Sequence, residues 1–178
     1  MLAGSGAGRS AWLDDETWAA VQKVVPIACV DLVPVRGKAE DQRIGLIRRQ
    51  TPFDGRSMWC QIGGRIRLDE TVRAALLRHL HETLTGVTWD PPLDPQPDYV
   101  MQWFPVPPTD APARYGLDPR RHAVALSFRA DLSGDPSIVP GGEAMNFAWL
   151  TVADLSKIRT ELWPGTFSML RALGLLGG

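Results

Sequence analysis

Residues 63–86 restrict most strongly what this chain can fold into, because a glycine pair leads directly into an amphipathic helical pattern. Leucines recur every four residues, which places them on one face of a helix and predicts that this face is buried: Leu76, Leu80 and Leu84. Asp69 or Thr71 is predicted to cap the amino end of the helix, and Gly86 is predicted to end it. The segment therefore predicts a glycine turn that feeds a partly buried helix.

The predicted helix carries polar side chains on a second face. His79, Glu82 and Thr83 are three or four residues apart, so their side chains project together. An acid on a helix beside a glycine turn can hold a hard divalent cation next to a phosphate, because such cations prefer oxygen ligands. This face therefore predicts a site for a phosphate-containing ligand.

The length and the net charge of the chain limit which classes of function are possible. With 178 residues, the chain is long enough for one domain with a hydrophobic core, predicted at residues 11–178 after a flexible tail at residues 1–10. A net charge of -1 gives no electrostatic basis for binding nucleic acid or an anionic membrane. No apolar run approaches the roughly 20 residues that a membrane-spanning helix needs. Cys29 and Cys60 are predicted to be buried free thiols, which is consistent with a cytoplasmic protein.

The rest of the chain predicts an α/β (α+β) architecture in which one mixed β-sheet lies between α-helices. A first helix is predicted to begin at Asp14 or Asp15 and to end before Pro26, and two more are predicted at residues 152–158 and 166–175. Strands are predicted at residues 27–35, 44–48, 58–62, 99–104, 123–132 and 147–151. The proline-rich segment 105–121 is predicted to be a lid that selects the substrate.

The pattern in residues 63–86 resembles the Nudix box: glycine, five residues, glutamate, seven residues, then Arg-Glu-apolar-any-Glu-Glu-any-Gly-apolar. The matching residues are Gly64, Glu70, Arg78, Leu80 and Glu82. His79 and Thr83 stand where the box has its first and last helix glutamates, and Gly86 comes one residue late. The chain thus resembles a Nudix protein with a degenerate box. The strings VDLVPV, GGRIRLDET and FAWLT are most similar to the GDP-mannose mannosyl hydrolase branch.

The resemblance implies a metal-dependent hydrolase of a nucleoside diphosphate derivative, such as a nucleotide sugar, that uses Mg²⁺ or Mn²⁺ and forms a homodimer. Glu82 and Glu143 are predicted to hold the metal and to act in catalysis, with a backbone carbonyl near Gly63 as a further ligand. His79 has two interpretations: a nitrogen ligand of the metal, or a neutral residue that fills the space of the lost glutamate. The branch has a histidine base at the position of Ala144, so Glu82, Glu143 or a metal-bound water is left as the base.

Further residues are predicted to contact the substrate. Arg65 matches a phosphate-binding arginine of the branch, and a guanidinium binds phosphate with two parallel hydrogen bonds. Arg48 and Arg49, which close the second predicted strand, are further candidates. Trp103 is a candidate to stack on a base, and His122 to touch the substrate. Asp31 lies on an apolar strand, where it could accept a hydrogen bond from a base or sugar or pair with a polar group of the core.

Gly64, Glu70 and Arg78 match the structural part of the box, in which an ion pair between the last two holds the glycine turn. Because two box acids are missing, two alternatives to hydrolysis stay open. One is a scaffold that binds a nucleotide or metabolite without cleaving it. The other is a biosynthetic enzyme that uses the same pocket for non-hydrolytic chemistry.

Overall fold

The computed structural model of the chain describes residues 13–38, 41–110 and 114–176. Its fold is mixed α+β, with a curled mixed sheet and four α-helices in the described residues. The helices are α1 (Asp15–Val24), α2 (Val72–Thr83), α3 (Val152–Lys157) and α4 (Thr166–Ala172). The strands are β1 (Ile27–Arg36), β2 (Arg43–Gln50), β3 (Ser57–Cys60), β4 (Ile62–Arg65), β5 (Leu84–Thr88), β6 (Tyr99–Phe104), β7 (Gly116–Leu117), β8 (Ala123–Asp131), β9 (Ser133–Ile138) and β10 (Asn146–Leu150).

The main sheet has the strand order β10-β2-β1-β8-β6-β7, with β3 paired to β2 and β4 paired to β1. The centre is the long parallel pair of β1 and β8, both rich in buried apolar side chains, as is typical of parallel strands covered on both faces. β1 and β2 form a hairpin, but their ladder is confined to the turn end, at Val35–Ile44 and Arg36–Arg43. Farther along, β1 pairs instead with β4, which brings the glycine pair against the middle of the sheet.

Helix α2 packs its apolar face on this sheet, as the leucine spacing predicts. Leu76, Leu80 and Leu84 are buried, and burying each leucine stabilises the fold by about 1.5–3 kcal/mol. Thr71 caps the helix by accepting a hydrogen bond from the amide of Ala74, 3.1 Å away. Of the two predicted caps, the structure therefore uses Thr71. Helix α1 begins after the Asp14 cap and ends before Pro26, in agreement with the prediction.

Several predictions about the elements need correction. Gly86 does not end α2, because the helix stops at Thr83 and the chain continues directly into β5. Gly86 instead adopts a φ of 76° within that strand, close to the Asp135 carbonyl, where the ladder with β9 is irregular. The two-stranded sheet of β5 and β9 was not predicted from the sequence. Residues 105–121 were predicted to form a lid without strands, whereas Gly116 and Leu117 form β7 against β6.

Further predictions concern the amino-terminal tail, membrane-spanning helices and the two cysteines. The proposed tail at residues 1–10 lies outside the described residues. Within the described ranges, no helix combines the length and apolarity needed to cross a bilayer. Cys29 and Cys60 are buried and free, as predicted.

Candidate functional site

A cavity of about 470 Å³, called here the outer cavity, opens beside the polar face of α2. Its walls come from α1, β2, β4 and α2, together with the loop before β8 and the turn before β10. The charged residues that line it are five arginines and two glutamates: Arg49, Arg65, Arg78, Arg120, Arg121, Glu82 and Glu143. The outer cavity therefore has an excess of positive charge.

The glycine pair lies too close to its neighbours for any side chain. A Cβ on Gly63, which pairs with Asp31 in the β1–β4 ladder, would lie 2.3 Å from the carbonyl oxygen of Val30. A Cβ on Gly64 would lie 2.6 Å from Cε1 of His79 on α2. The two glycines therefore allow the close approach that sets Arg65, the next residue, beside the polar face of the helix.

The turn before β10 is held against the end of α2. The amide of Val139 donates to the carbonyl of Thr83 at 3.0 Å, and the amide of Gly142 donates to the carbonyl of Val139 at 3.1 Å. Glu143 follows this turn directly and lines the same cavity as Glu82. The structure thus brings together two acids that are far apart in the sequence.

Arginines crowd one end of the outer cavity. The guanidinium carbons of Arg65 and Arg121 lie 4.0 and 5.4 Å from the ring centroid of Trp18. Burial lowers the pKa of Arg65, and neighbouring arginines, Arg121 first among them, lower it further. Burial also lowers the pKa of Arg121, and the charge of Arg120 adds to this effect. A bound anion would relieve this repulsion, so the cavity is suited to an anionic ligand.

Both acids of the cavity are already paired with guanidinium groups. The carboxylate of Glu82, whose side chain is about half exposed, lies 3.3 Å from both Arg67 and Arg78. The carboxylate of Glu143 accepts a hydrogen bond from Nη1 of Arg49 at 2.5 Å. Neither acid is therefore an isolated negative charge.

Arg78 holds the glycine turn to the helix. Its Nε and Nη2 donate to the two carboxylate oxygens of Glu70 at 2.6 and 2.7 Å, and Nη2 also donates to the carbonyl of Arg65 at 3.0 Å. Glu70 in turn accepts from the amide of Arg67 at 2.9 Å, and its hydrogen bonds with Arg78 lower its pKa. This network fixes the backbone of Arg65 at the end of β4.

A smaller inner cavity, of about 60 Å³, lies behind the outer one. The two cavities share Arg49, Gly63, Gly64, Arg120 and Arg121 as lining residues. The inner cavity is otherwise walled mainly by apolar and aromatic side chains, and it contains the carboxylate of Asp31. A ligand in the outer cavity could therefore extend into the inner one.

Burial raises the pKa of Asp31 to about 6, although hydrogen bonds from Gln61 and Trp103 and the charge of Arg49 act to lower it. The Oδ2 atom of Asp31 has no hydrogen-bond partner among the described residues. Buried polar atoms are normally satisfied, so an unpaired carboxylate oxygen that borders a cavity suggests a place for a ligand.

Comparison with known proteins identifies the family. Residues 8–177 match the family model described as Domain of unknown function (DUF4916). The chain belongs to this family. No curated protein matches the chain.

Solved structures with a similar fold include hydrolases and a NUDIX domain. A possible asymmetric diadenosine tetraphosphate hydrolase from Jonesia denitrificans DSM 20603 is 30% identical, with a TM-score of 0.71 and coverage of 87% of this chain and 99% of that chain. A NUDIX-family hydrolase from Clostridium perfringens is 18% identical (TM-score 0.58), with 86% and 99% covered. The NUDIX domain of Shewanella oneidensis NrtR, solved with ADP-ribose, is 16% identical (TM-score 0.55), with 90% and 96% covered. The fold is thus that of the Nudix superfamily.

Nudix hydrolases generally use divalent metal ions, so the predicted ligands of this DUF4916 chain can be tested for their fit. Glu82 and Glu143 are paired with arginines, and Nε2 of His79 lies 3.2 Å from the carbonyl of Arg65, to which it must donate its proton. Among the described residues, no group of three or more His, Cys, Asp or Glu is arranged to hold a metal. Surrounding arginines also repel a dication. The residues in this arrangement do not fit a resident Mg²⁺ or Mn²⁺, even with the carbonyl of Gly63.

His79 packs on the glycine turn. Its ring lies over Gly64, and burial followed by the charge of Arg78 lowers its pKa. The side chain is therefore neutral near pH 7. These observations favour the second interpretation of His79, a neutral residue that fills space beside the turn.

Two predicted substrate contacts lie outside both cavities. Arg48 donates to Ser57 at 2.9 Å and lies 3.4 Å from Glu161, while the next residue, Arg49, faces the cavities. Alternation along β2 explains the difference, because successive side chains of a strand point to opposite faces. His122 stacks on Phe104 with a centroid distance of 4.3 Å and borders a separate surface pocket next to α1. Of these two neighbouring arginines, only Arg49 lines the outer and inner cavities.

The sequence analysis missed other lining residues. Trp18 packs against the hydrophobic core and also lines the outer cavity, next to its arginines. Arg120 and Arg121 lie in the segment predicted to be a lid, where Arg120 also pairs with Asp118 at 2.8 Å. Residues 111–113 of that segment lie outside the described residues. The double arginine in the sequence was a signal of positive charge, but nothing in its spacing indicated which cavity it would face.

The raised pKa of Asp31 predicts a pH-dependent stability. Because the folded-state pKa of about 6 exceeds the ordinary value of 3.8, the folded state keeps the proton longer than the unfolded state as pH rises. The resulting stabilisation is complete below about pH 4 and is lost as pH rises through about 6. Relative to Asp31→Asn, the wild type should lose up to about 3 kcal/mol of unfolding free energy between pH 4 and 7. Urea unfolding of both proteins across this range measures the difference, and a constant difference would contradict the assignment.

Proposed function

We propose that this DUF4916 protein is a Nudix-type hydrolase of a nucleoside diphosphate derivative, such as a nucleotide sugar. The observation that carries the proposal is the cluster of five arginines in the outer cavity, directly beside the glycine turn of a Nudix fold. Guanidinium groups bind phosphate oxygens with short, charge-assisted hydrogen bonds. The NrtR NUDIX domain, solved with ADP-ribose, and the possible diadenosine tetraphosphate hydrolase support a ligand with linked phosphates.

In this proposal the arginines act on the charge of the phosphates. Arg65 and Arg121 approach from one side of the cavity, and Arg49 and Arg120 line the wall shared with the inner cavity. Fixed positive groups stabilise the negative charge that develops on a leaving phosphate, and they do so most strongly where water is excluded. Glu82, whose side chain is about half exposed in the cavity, is placed to accept a proton from an attacking water.

Glu82→Gln is expected to lower the turnover of a cleaved substrate by about 100-fold, because the amide cannot accept the proton. The variant should fold normally, since glutamine has nearly the same shape and the side chain is about half exposed. Turnover of GDP-mannose, ADP-ribose and diadenosine tetraphosphate is measured by chromatography of the products. Cleavage between the phosphates of a nucleotide sugar gives a nucleoside monophosphate and a sugar phosphate, whereas attack at the sugar carbon gives the nucleoside diphosphate and the free sugar. Glu161→Gln, an acid outside both cavities, is the matched control. Unchanged turnover in Glu82→Gln would remove Glu82 from the mechanism.

A second candidate is binding of the same ligand without cleavage. The pairing of Glu82 and Glu143 with arginines favours it, because both carboxylates already have charged partners and neither is a vacant metal ligand in this arrangement. Calorimetric titration combined with product analysis separates the two functions. Tight binding with no released product, both with a chelator and with added Mg²⁺ or Mn²⁺, would support binding alone. Product formation that depends on either ion would show that the predicted cofactor enters with the substrate.

The predicted homodimer and cytoplasmic location complete the proposal. Light scattering of the purified protein tests the first, with the dimer mass as the expected result. Fractionation of cells that express the tagged full-length chain tests the second. Both predictions come from the family resemblance and the cysteine content.

A further inference from the structure

Asp31 is the most deeply buried acid among the residues that line either cavity, and one of its two carboxylate oxygens makes no hydrogen bond to the described residues. The residue is 6% exposed at the centre of β1. Gln61 and Trp103 hydrogen-bond its carboxyl group, but Oδ2 has no partner among the described residues. Gln61 is itself positioned by Thr166, whose hydroxyl donates to the Gln61 carbonyl oxygen at 3.1 Å. The surrounding side chains thus hold the carboxylate beside the inner cavity, and its Oδ2 atom remains without a hydrogen-bond partner among the described residues.

The other polar groups around the inner cavity do not neutralise this oxygen. Asp118 is committed to Arg120, which donates to both of its carboxylate oxygens at 2.8 Å. Cys29 and Cys60 also border the cavity, and burial raises the pKa of both thiols. Of the two acids that line the inner cavity, Asp31 is therefore the one without a hydrogen bond from an arginine among the described residues.

Two buried guanidinium groups lie where the two cavities meet. The Nε atoms of Arg49 and Arg121 have no hydrogen-bond partner among the described residues, although Nε of Arg121 lies 3.8 Å from the carboxylate of Asp118. Both arginines line the outer and the inner cavity. A ligand that spans the junction would place an anionic group on these donors and a hydrogen-bond donor on Asp31.

The size of the inner cavity restricts which part of a ligand can enter. About 60 Å³ accommodates a few water molecules, which is comparable to a hydroxyl-bearing carbon or two. The outer cavity, with about 470 Å³, is large enough for the bulk of a nucleotide. A small group with an O–H donor fits the inner cavity better than a whole nucleobase does.

We propose that Asp31 is a specificity residue that binds a hydroxyl group of the sugar end of a nucleotide sugar, while the diphosphate lies on the arginines at the junction of the cavities. This inference rests on the proposed function and deepens it, because it names the part of the substrate that the inner cavity recognises. The hydroxyl donates its hydrogen to Oδ2, and no covalent step is involved. The nucleoside then stays in the outer cavity.

Calorimetry with matched ligand pairs tests the inference: GDP-mannose against GDP, and ADP-ribose against ADP. Asp31→Asn, which keeps the shape of the side chain but removes its charge, should weaken binding of each sugar-bearing ligand by about tenfold or more. Binding of GDP and ADP, which lack the sugar end, should be unchanged. Asp98→Asn is the control, because Asp98 pairs with Arg129 in an exposed position and lines neither cavity.

A second measurement uses the unaltered protein, so that it does not depend on the folding of the variant. The indole N–H of Trp103, which hydrogen-bonds Asp31, gives a ¹H–¹⁵N signal that is assigned with Trp103→Phe. GDP-mannose or ADP-ribose should shift this signal, and GDP or ADP should not.

The outcomes separate the two proposals. A loss confined to the sugar-bearing ligands supports the role of Asp31. Equal losses for both members of a pair, or no loss and no indole shift, overturn that role and leave the proposed function standing. If the wild type binds neither member of any pair, the proposed function fails and the role of Asp31 fails with it.

Discussion

Replacing Arg78 with methionine should lower the free energy of unfolding by about 3–5 kcal/mol, because it leaves the carboxylate of Glu70 without its partner. Both side chains are nearly buried, with exposed fractions of 14% for Arg78 and 12% for Glu70. The substitution also removes the hydrogen bond from Nη2 to the Arg65 carbonyl, which holds the glycine turn. Methionine preserves much of the volume, so the loss reports on the charge and its hydrogen bonds. Urea unfolding monitored by circular dichroism measures it.

Arg73→Met is the matched control for this prediction. Arg73 lies on the same helix and pairs with Asp90 at 2.5 Å, but the Asp90 side chain is 90% exposed. An exposed ion pair contributes at most about 1 kcal/mol, and the hydrogen bond from Nε of Arg73 to the Pro91 carbonyl adds about 1 kcal/mol, so the control should lose clearly less stability than Arg78→Met. Similar losses for the two variants would contradict a special role of the Glu70–Arg78 pair.

The double substitution Arg65→Met, Arg121→Met should weaken the binding of a nucleotide ligand by about 1,000-fold. Each guanidinium is expected to contribute about 2 kcal/mol through charge-assisted hydrogen bonds to phosphate, and about 4 kcal/mol corresponds to a factor of this size. Burial, and then the charges of neighbouring arginines, lower the pKa of both side chains, so their removal relieves an unfavourable interaction. The variant loses the hydrogen bond of Arg121 to Gln22 and its ion pair with Asp118, but it should remain folded. Loss of binding by a folded protein is therefore the expected result.

The control for this prediction removes the same amount of charge elsewhere. Arg159 and Arg171 both lie against the ring of Phe167, at 4.4 and 5.6 Å from its centroid, and they line neither the outer nor the inner cavity. The double methionine variant at these positions should bind as the wild type does, apart from a small general electrostatic effect. If both double variants lost affinity equally, net charge rather than the outer cavity would explain the result.

Local patterns in the sequence predicted the elements that depend on near neighbours. The leucine spacing predicted the buried face of α2, and the Asp14 and Thr71 caps follow from side chains that bond amides three residues ahead. The sheet of β5 and β9 was missed, because Gly86, Gly134 and Pro136 are residues typical of turns. The irregular ladder between these strands shows why such residues are tolerated there.

The site was harder to predict, because it depends on register between distant strands. The pairing of Asp31 with Gly63 places an acid of β1 beside the glycine turn, and nothing in the local sequence specifies that pairing. Arg48 and Arg49 were both candidates, and only Arg49 faces the cavities, since the face of a side chain depends on a single step along β2. The placement of Glu82 and Glu143 in one cavity was expected only from the family resemblance. Their ion pairs with arginines were not expected, and these pairs are the reason that the predicted metal site does not fit.

The most direct test of the account is a calorimetric titration of GDP-mannose and ADP-ribose, in the presence of a chelator, into the wild type and into Arg65→Met, Arg121→Met. The account holds that arginines of the outer cavity bind the phosphates, and it predicts saturable binding to the wild type without metal and its loss in the double variant. Binding that is equally strong in both proteins, or that appears in the wild type only after addition of Mg²⁺ or Mn²⁺, would contradict it.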